Sequence, residues 1–111
     1  MPFYTFNELE DIQHHPGIST GHGPTAIGER IVFGRRYMEK GTGAKPHSHP
    51  NEQFLFVLKG CLRARIEGED NEQILNPGHL MHVPPDVVHS MEVVGDGDVE
   101  YLNIKDAGVA G

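Results

Sequence analysis

The stretch Gly41-Thr-Gly-Ala-Lys-Pro-His47-Ser-His49-Pro-Asn-Glu-Gln53-Phe-Leu-Phe-Val-Leu-Lys-Gly60 decides how this chain is read. Its second half, Gln53 to Lys59, is apolar at both parities, as a central strand covered on both faces must be, and Gly60 breaks it. Its first half places two imidazoles two residues apart. Alternate residues of an extended chain point to the same side, so His47 and His49 face one way. Past Pro50-Asn51-Glu52 the next residue of that parity within reach is Gln53, and a slight bend at Pro50 lets all three reach a single transition ion. By itself a His-x-His pair also arises by chance on surfaces, so the flanking sequence has to decide.

Outward from this stretch the signals are β. Arg30 to Met38 reads as a strand, stopped by Gly41 and Gly43. Past Gly60, Leu62, Ala64 and Ile66 alternate with Arg63, Arg65 and Glu67, the pattern of a half-exposed strand. Gln73–Leu75, Leu80–Val83, His89–Val94 and Val99–Ile104 are further strands, separated by the turn signals Gly68-Glu-Asp-Asn71, Asn76-Pro-Gly78, Pro84-Pro85 and Gly95-Asp-Gly97. About seven strands at spacings near ten residues predict an all-β sandwich or barrel in a single domain. Residues 5–12 fit a helical turn, Thr5 with Glu8 forming a capping-box pattern, and fit a packing arm equally well. From His14 to Gly28 the sequence reads as loop. The expected division is therefore an N-terminal arm over 1–28, the barrel over 29–105 and a tail over 106–111.

Composition bounds the function. The 111 residues suit one domain, and 14 Gly with 8 Pro suit many short strands and tight turns. A net charge of -7 excludes nucleic acid as a partner, because phosphate binding needs a basic stripe. The single cysteine, Cys61, excludes an intrachain disulfide and a cysteine metal cage. Met1-Pro2-Phe3-Tyr4 has neither a basic nor an apolar signal region, and the longest apolar run, Phe54–Leu58, is far too short to span a membrane. A cytoplasmic protein is expected.

Further spacing carries a resemblance. Gly41 lies six residues before His47 and Gly60 seven after Gln53; Pro77-Gly78 is followed eleven residues on by His89, which Val83-Pro-Pro-Asp-Val-Val introduces. The two groups resemble the paired motifs of the cupin superfamily over about residues 38–93, and His47-Ser-His-Pro-Asn-Glu-Gln53 is similar to small cupins of the pectin-degradation type. The resemblance implies a jelly-roll β-barrel of two antiparallel sheets. It also implies a divalent transition metal (Fe, Ni, Zn, Mn or Cu) held by His47, His49, His89 and a fourth residue. Many members carry Glu as the fourth ligand; here Gln53 has the right parity and Glu52 the opposite one, and Gln53 is the expected ligand. His79 and His82 read as rim or outward-facing residues, and His14, His15 and His22 as surface histidines of the arm.

Arg36, Tyr37 and Tyr101 are the candidates for substrate chemistry. Arg36 is either a lumen residue that binds a substrate carboxylate or an exposed strand arginine; the tyrosines are candidate proton donors. Leu55 and Val57 form the apolar wall behind the metal. The functions that follow are a metal-dependent lyase, isomerase or cyclase acting without redox change on a small carbonyl or sugar-acid substrate, an Fe- or Ni-dependent dioxygenase, or a non-catalytic binding or sensing module. An unprotected edge strand and the arm predict a homodimer through residues 1–12 or the strand near Ile31.

Overall fold

The computed structural model describes residues 3–13, 15–70 and 72–107. Ten strands follow in order: β1 (Asp11–Gln13), β2 (His22–Ile27), β3 (Ile31–Met38), β4 (Gly43–His47), β5 (Gln53–Lys59), β6 (Cys61–Ile66), β7 (Gln73–Leu75), β8 (Leu80–Val83), β9 (His89–Val94) and β10 (Val99–Asp106). They form two antiparallel sheets, ordered β1-β2-β3-β10-β5-β8 and β4-β9-β6-β7, the two-sheet jelly roll of the sequence reading. Met38, Leu55, Val57, Val83 and Val99 of the larger sheet pack against Leu62, Ala64, Met91 and Val93 of the smaller.

The interior is graded from apolar to polar along the strands. On β10 the inward positions are Val99, Tyr101, Asn103 and Lys105, all buried. Antiparallel β5 runs the other way, so Val57 stands beside Tyr101, Leu55 beside Asn103 and Gln53 beside Lys105. On β9 the series Val93, Met91, His89 ends in the same polar region. One end of the barrel is thus closed by hydrocarbon, and the other gathers side chains able to bind an ion or a polar ligand.

Two features of β4 fix the site. Its register against β9 shifts between Ala44, opposite Met91, and His47, opposite His89. Three steps on one strand answer two on the other, which is a β-bulge, and Pro46, with no N–H to give a ladder, sits inside it. Before the bulge, Gly43 lies so close to β9 that an added Cβ would fall 2.1 Å from the Met91 carbonyl oxygen.

The N-terminal segment departs from the sequence reading. Residues 5–12 hold one 3-10 turn, Phe6–Glu8, and then β1; the Thr5 side chain makes no capping bond, and three residues are too few to propagate a helix. The stretch read as loop between His14 and Gly28 contains β2, and His14 itself lies outside the described residues. β2 lacks an apolar alternation because its inward positions are Gly23 and Thr25. Gly23 meets the Arg35 carbonyl, where a Cβ would stand 1.9 Å away, and Thr25 binds Arg36. Among the described residues no helix is long and apolar enough to cross a membrane.

Gly43→Ala is expected to cost about 1–3 kcal/mol, because the methyl group forces β4 off β9. Gly97, with nothing within 4 Å of an added Cβ, is the control, and Gly97→Ala should change stability by less than about 0.5 kcal/mol. Urea unfolding of both variants checks this.

Candidate metal centre

Three histidines converge where β4, β9 and the 48–52 loop meet. Ring centroids are 4.3 Å apart for His47 and His89, 4.9 Å for His49 and His89, and 5.6 Å for His47 and His49. Each is oriented through Nδ1 by a backbone carbonyl two residues away: His47 to Lys45 (2.7 Å), His49 to Asn51 (2.9 Å) and His89 to Val87 (3.0 Å). A carbonyl only accepts, so Nδ1 carries the proton in each ring and Nε2 keeps its lone pair. This outer hydrogen bond is the usual means of fixing a metal-ligating imidazole. His89 is 2% exposed, and its Nε2 is buried with no partner among the described residues. An orphaned buried nitrogen in a cluster of like donors fits a metal ligand, and the all-imidazole set is compatible with a divalent transition ion.

Turns hold these rings in place. Asp86 has φ +64, uncommon for a residue with a side chain, and its N–H bonds the His49 carbonyl at 2.8 Å. The Asn51 side chain donates to the Asp106 carbonyl at 2.6 Å, and the Asp106 N–H bonds the Glu52 carbonyl at 3.0 Å. The loop after His49 is thereby fastened to the end of β10.

Gln53 lines the same cavity as the three histidines, buried, its Nε2 donating to Asn103 Oδ1, a bond that does not use Oε1. Glu52 points to the other face and pairs with His82 at 2.7 Å, where His82 also stacks on Phe54. His79 is exposed and accepts from the Asn76 N–H, and His22 pairs with Asp11 on the exterior. The surface reading of His15 is corrected: its ring lies 5.3 Å from His47 and 5.7 Å from His49, parallel to the latter within 11°. Its candidate ligand atom and those of His47 and His49 lie within 4.8 Å of one another.

Of the residues considered for substrate chemistry, Arg36 and Tyr101 are buried inside the barrel and Tyr37 lies on the outer face against His22. The exposed alternative for Arg36 is overturned. Its guanidinium lies over Gly34, where an added Cβ would meet Cζ at 3.0 Å. Nη1 donates to the Ile12 carbonyl (2.6 Å) and Thr25 Oγ1 (2.8 Å), fastening β1 and β2 to β3, while Nη2 is buried without a partner among the described residues. Lys105 is a lining residue that sequence reasoning missed. Parity on β10 placed it with Tyr101, but Leu102 and Ile104 make the opposite face look like the core.

The charged form of three of the histidine rings is disfavoured. Burial, foremost, lowers the pKa of His15, His49 and His89, the last to about 4; Lys105 adds to the effect on all three. Burial likewise pushes Lys105 down, helped by Arg36, and raises Tyr101 to about 12.

The chain matches the model of the Cupin domain over residues 34–105 and belongs to the cupin family. Polyketide cyclase RemF from Streptomyces resistomycificus superposes with a TM-score of 0.83 at 16% identity, covering 100% of this chain and 82% of that one. KdgF from Halomonas sp. gives 0.75 at 21% identity, covering 94% and 91%. The HTH-type transcriptional regulator YobQ of Bacillus subtilis (strain 168) is 33% identical over 58 residues, 52% of this chain. The match spans 23% of that curated relative's length.

The His89 shift sets a pH dependence for the metal-free protein. The unfolded imidazole titrates near 6.5 and the folded one at about 4, so on acidification the unfolded chain gains a proton first. Stability holds above 6.5 and is lost as pH falls from there toward 4. Thermal melts of chelator-treated protein should follow that slope, and His89→Gln should make it shallower.

Proposed function

We propose that this cupin is a metal-dependent enzyme without redox change, a lyase, isomerase or cyclase, acting on a small carbonyl compound that carries a carboxylate. His47, His49, His89 and Gln53 would hold the ion, whose contribution is to polarise a bound carbonyl oxygen. The observation that carries the substrate class is the charge inside the barrel. The cavity beside the histidines is lined by Arg36 and Lys105 and, among the described residues, by no carboxylate; Asp11, within electrostatic range of Arg36, is exposed on β1. Two buried cations next to a divalent ion favour an anionic ligand. A substrate carboxylate would accept from Lys105 or from the unpartnered Arg36 Nη2, and would offset the burial that disfavours the Lys105 ammonium. Tyr101 keeps its proton near neutrality and serves as a hydrogen-bond donor rather than an acid. The neutral amide of Gln53 leaves the ion its full charge, which suits Lewis-acid work better than oxidation.

KdgF and the polyketide cyclase RemF share the barrel, and the name of the latter states a ring-forming activity; both support the reading by analogy of fold. The match to a transcriptional regulator favours a second reading, a ligand-sensing module with the same anion preference and no turnover.

The test is zinc-loaded protein under strict anaerobiosis with an unsaturated uronate, followed by NMR. Turnover supports the proposal. Turnover only with iron and oxygen replaces it with the dioxygenase reading, and thermal stabilisation without turnover replaces it with the sensing module. Lys105→Met is expected to raise KM for an acidic substrate by about tenfold or more, the worth of one charged hydrogen bond, and to leave zinc content unchanged.

We also infer a homodimer through the outer side of β2 and β3, supported by Ile27 and Ile31, 64% and 58% exposed on adjoining strands. Light scattering should give twice the chain mass, and Ile31→Glu should halve it.

A further inference from the structure

His15 combines three features that a surface histidine would not need. Its backbone has φ +53, the left-handed region that residues with side chains seldom occupy. Its Nε2 is buried and has no hydrogen-bond partner among the described residues. Its ring lies parallel over His49 and beside His47, with ligand nitrogens of the three rings within 4.8 Å of one another. Left-handed strain costs about 1–3 kcal/mol and an unsatisfied buried donor or acceptor about as much. Ring stacking alone explains neither cost, whereas a metal ion accepting the lone pair answers for both.

The local chain is built to present this ring. Pro16 and Gly17, the latter at φ +87, occupy the centre of a turn closed by the Ile18 N–H on the His15 carbonyl at 3.0 Å. Proline then glycine is the sequence of a type II turn, which fixes the direction of the residue before it. The following segment is pinned to β4: Lys45 N–H to the Ile18 carbonyl (2.9 Å), Thr20 N–H to the Gly43 carbonyl (3.1 Å), a bridge between Ser19 and Ala44, and Thr20 Oγ1 against Thr42 Oγ1 (2.8 Å). The strand that ends in His47 therefore also anchors the turn that carries His15. With the arm docked, the space left at the cluster is about 40 Å³, room for an ion and roughly one water.

We propose that His15 is a fourth imidazole ligand, delivered by the N-terminal arm, so that metal binding and docking of residues 15–20 are one event. This rests on the metal reading of His47, His49 and His89, and extends it to a segment outside both sequence motifs. The arm is then part of the metal centre, and a substrate carboxylate reaches Lys105 or Arg36 only when residues 15–20 lift from β4.

The experiment uses the full chain and zinc as the probe, with two variants. His15→Ala removes the ring; His15→Phe keeps an aromatic ring over His49 and removes the nitrogen. Zinc affinity by chelator competition, the number of imidazoles by X-ray absorption, and amide exchange over residues 15–20 with and without zinc are compared. Both variants are expected to bind zinc about tenfold or more weakly, to show one imidazole fewer, and to lose the slowing of exchange that zinc produces in the parent protein. If His15→Phe binds zinc like the parent with an unchanged imidazole count, His15 is a packing residue and the inference is overturned. His89→Ala separates the two levels. If the parent binds zinc and His89→Ala does not, a negative result for His15 overturns this inference alone. If the parent itself binds no zinc, the metal reading falls and His15 with it.

Discussion

The pairing of β4 with β9 across one bulge is the constraint on which the rest depends. The extra residue at Lys45–Pro46 puts His47 opposite His89 instead of one step out of register, and a one-residue slip in a strand reverses the face each side chain occupies. Gly43 permits the close approach of the two strands, and the Lys45 carbonyl inside the bulge receives the His47 Nδ1–H. The same strand holds the segment from Ile18 to Thr20. Backbone geometry in one short stretch therefore aligns three of the four converging imidazoles before any ion is considered.

The second organising fact is the placement of charge. The chain as a whole carries -7, yet Arg36 and Lys105 lie buried inside the barrel, and Glu52, the neighbour of Gln53 in the chain, faces outward against His82. With no carboxylate among the cavity's described lining residues, nothing there draws protons onto His49 and His89, whose charged forms burial already disfavours. That absence also leaves an interior in which a ligand carboxylate is the natural counter-charge. The apolar end of the barrel, with Leu62, Val57 and Val99 fully buried, supplies the stability that lets the other end hold such groups.

Much of this was legible in the chain. Period-two alternation and regularly spaced turns predicted β3, β5, β6, β8, β9 and β10, because each buries apolar side chains on a face that hydropathy reveals. His47, His49 and Gln53 were readable from spacing and parity, and Glu52 from the same parity as outward. β2 was read as loop, since its inward positions are glycine and threonine, and what holds it is a backbone ladder to β3 reinforced by the Arg36 guanidinium.

Sequence by itself determined the all-β class, the two motifs and the candidate ligands among them, for these depend on residues close in the chain, where strand periodicity fixes direction. Only the tertiary structure decided that Arg36 turns inward, that Lys105 and not Leu102 or Ile104 lines the cavity, and that His15 joins the histidines. Those outcomes depend on which face of β3 and β10 the smaller sheet covers, and on a turn pinned to a strand that begins 28 residues after His15. Strand parity groups residues by face but does not say which face a distant sheet covers, and contacts between residues far apart in sequence leave no local periodicity to decide it.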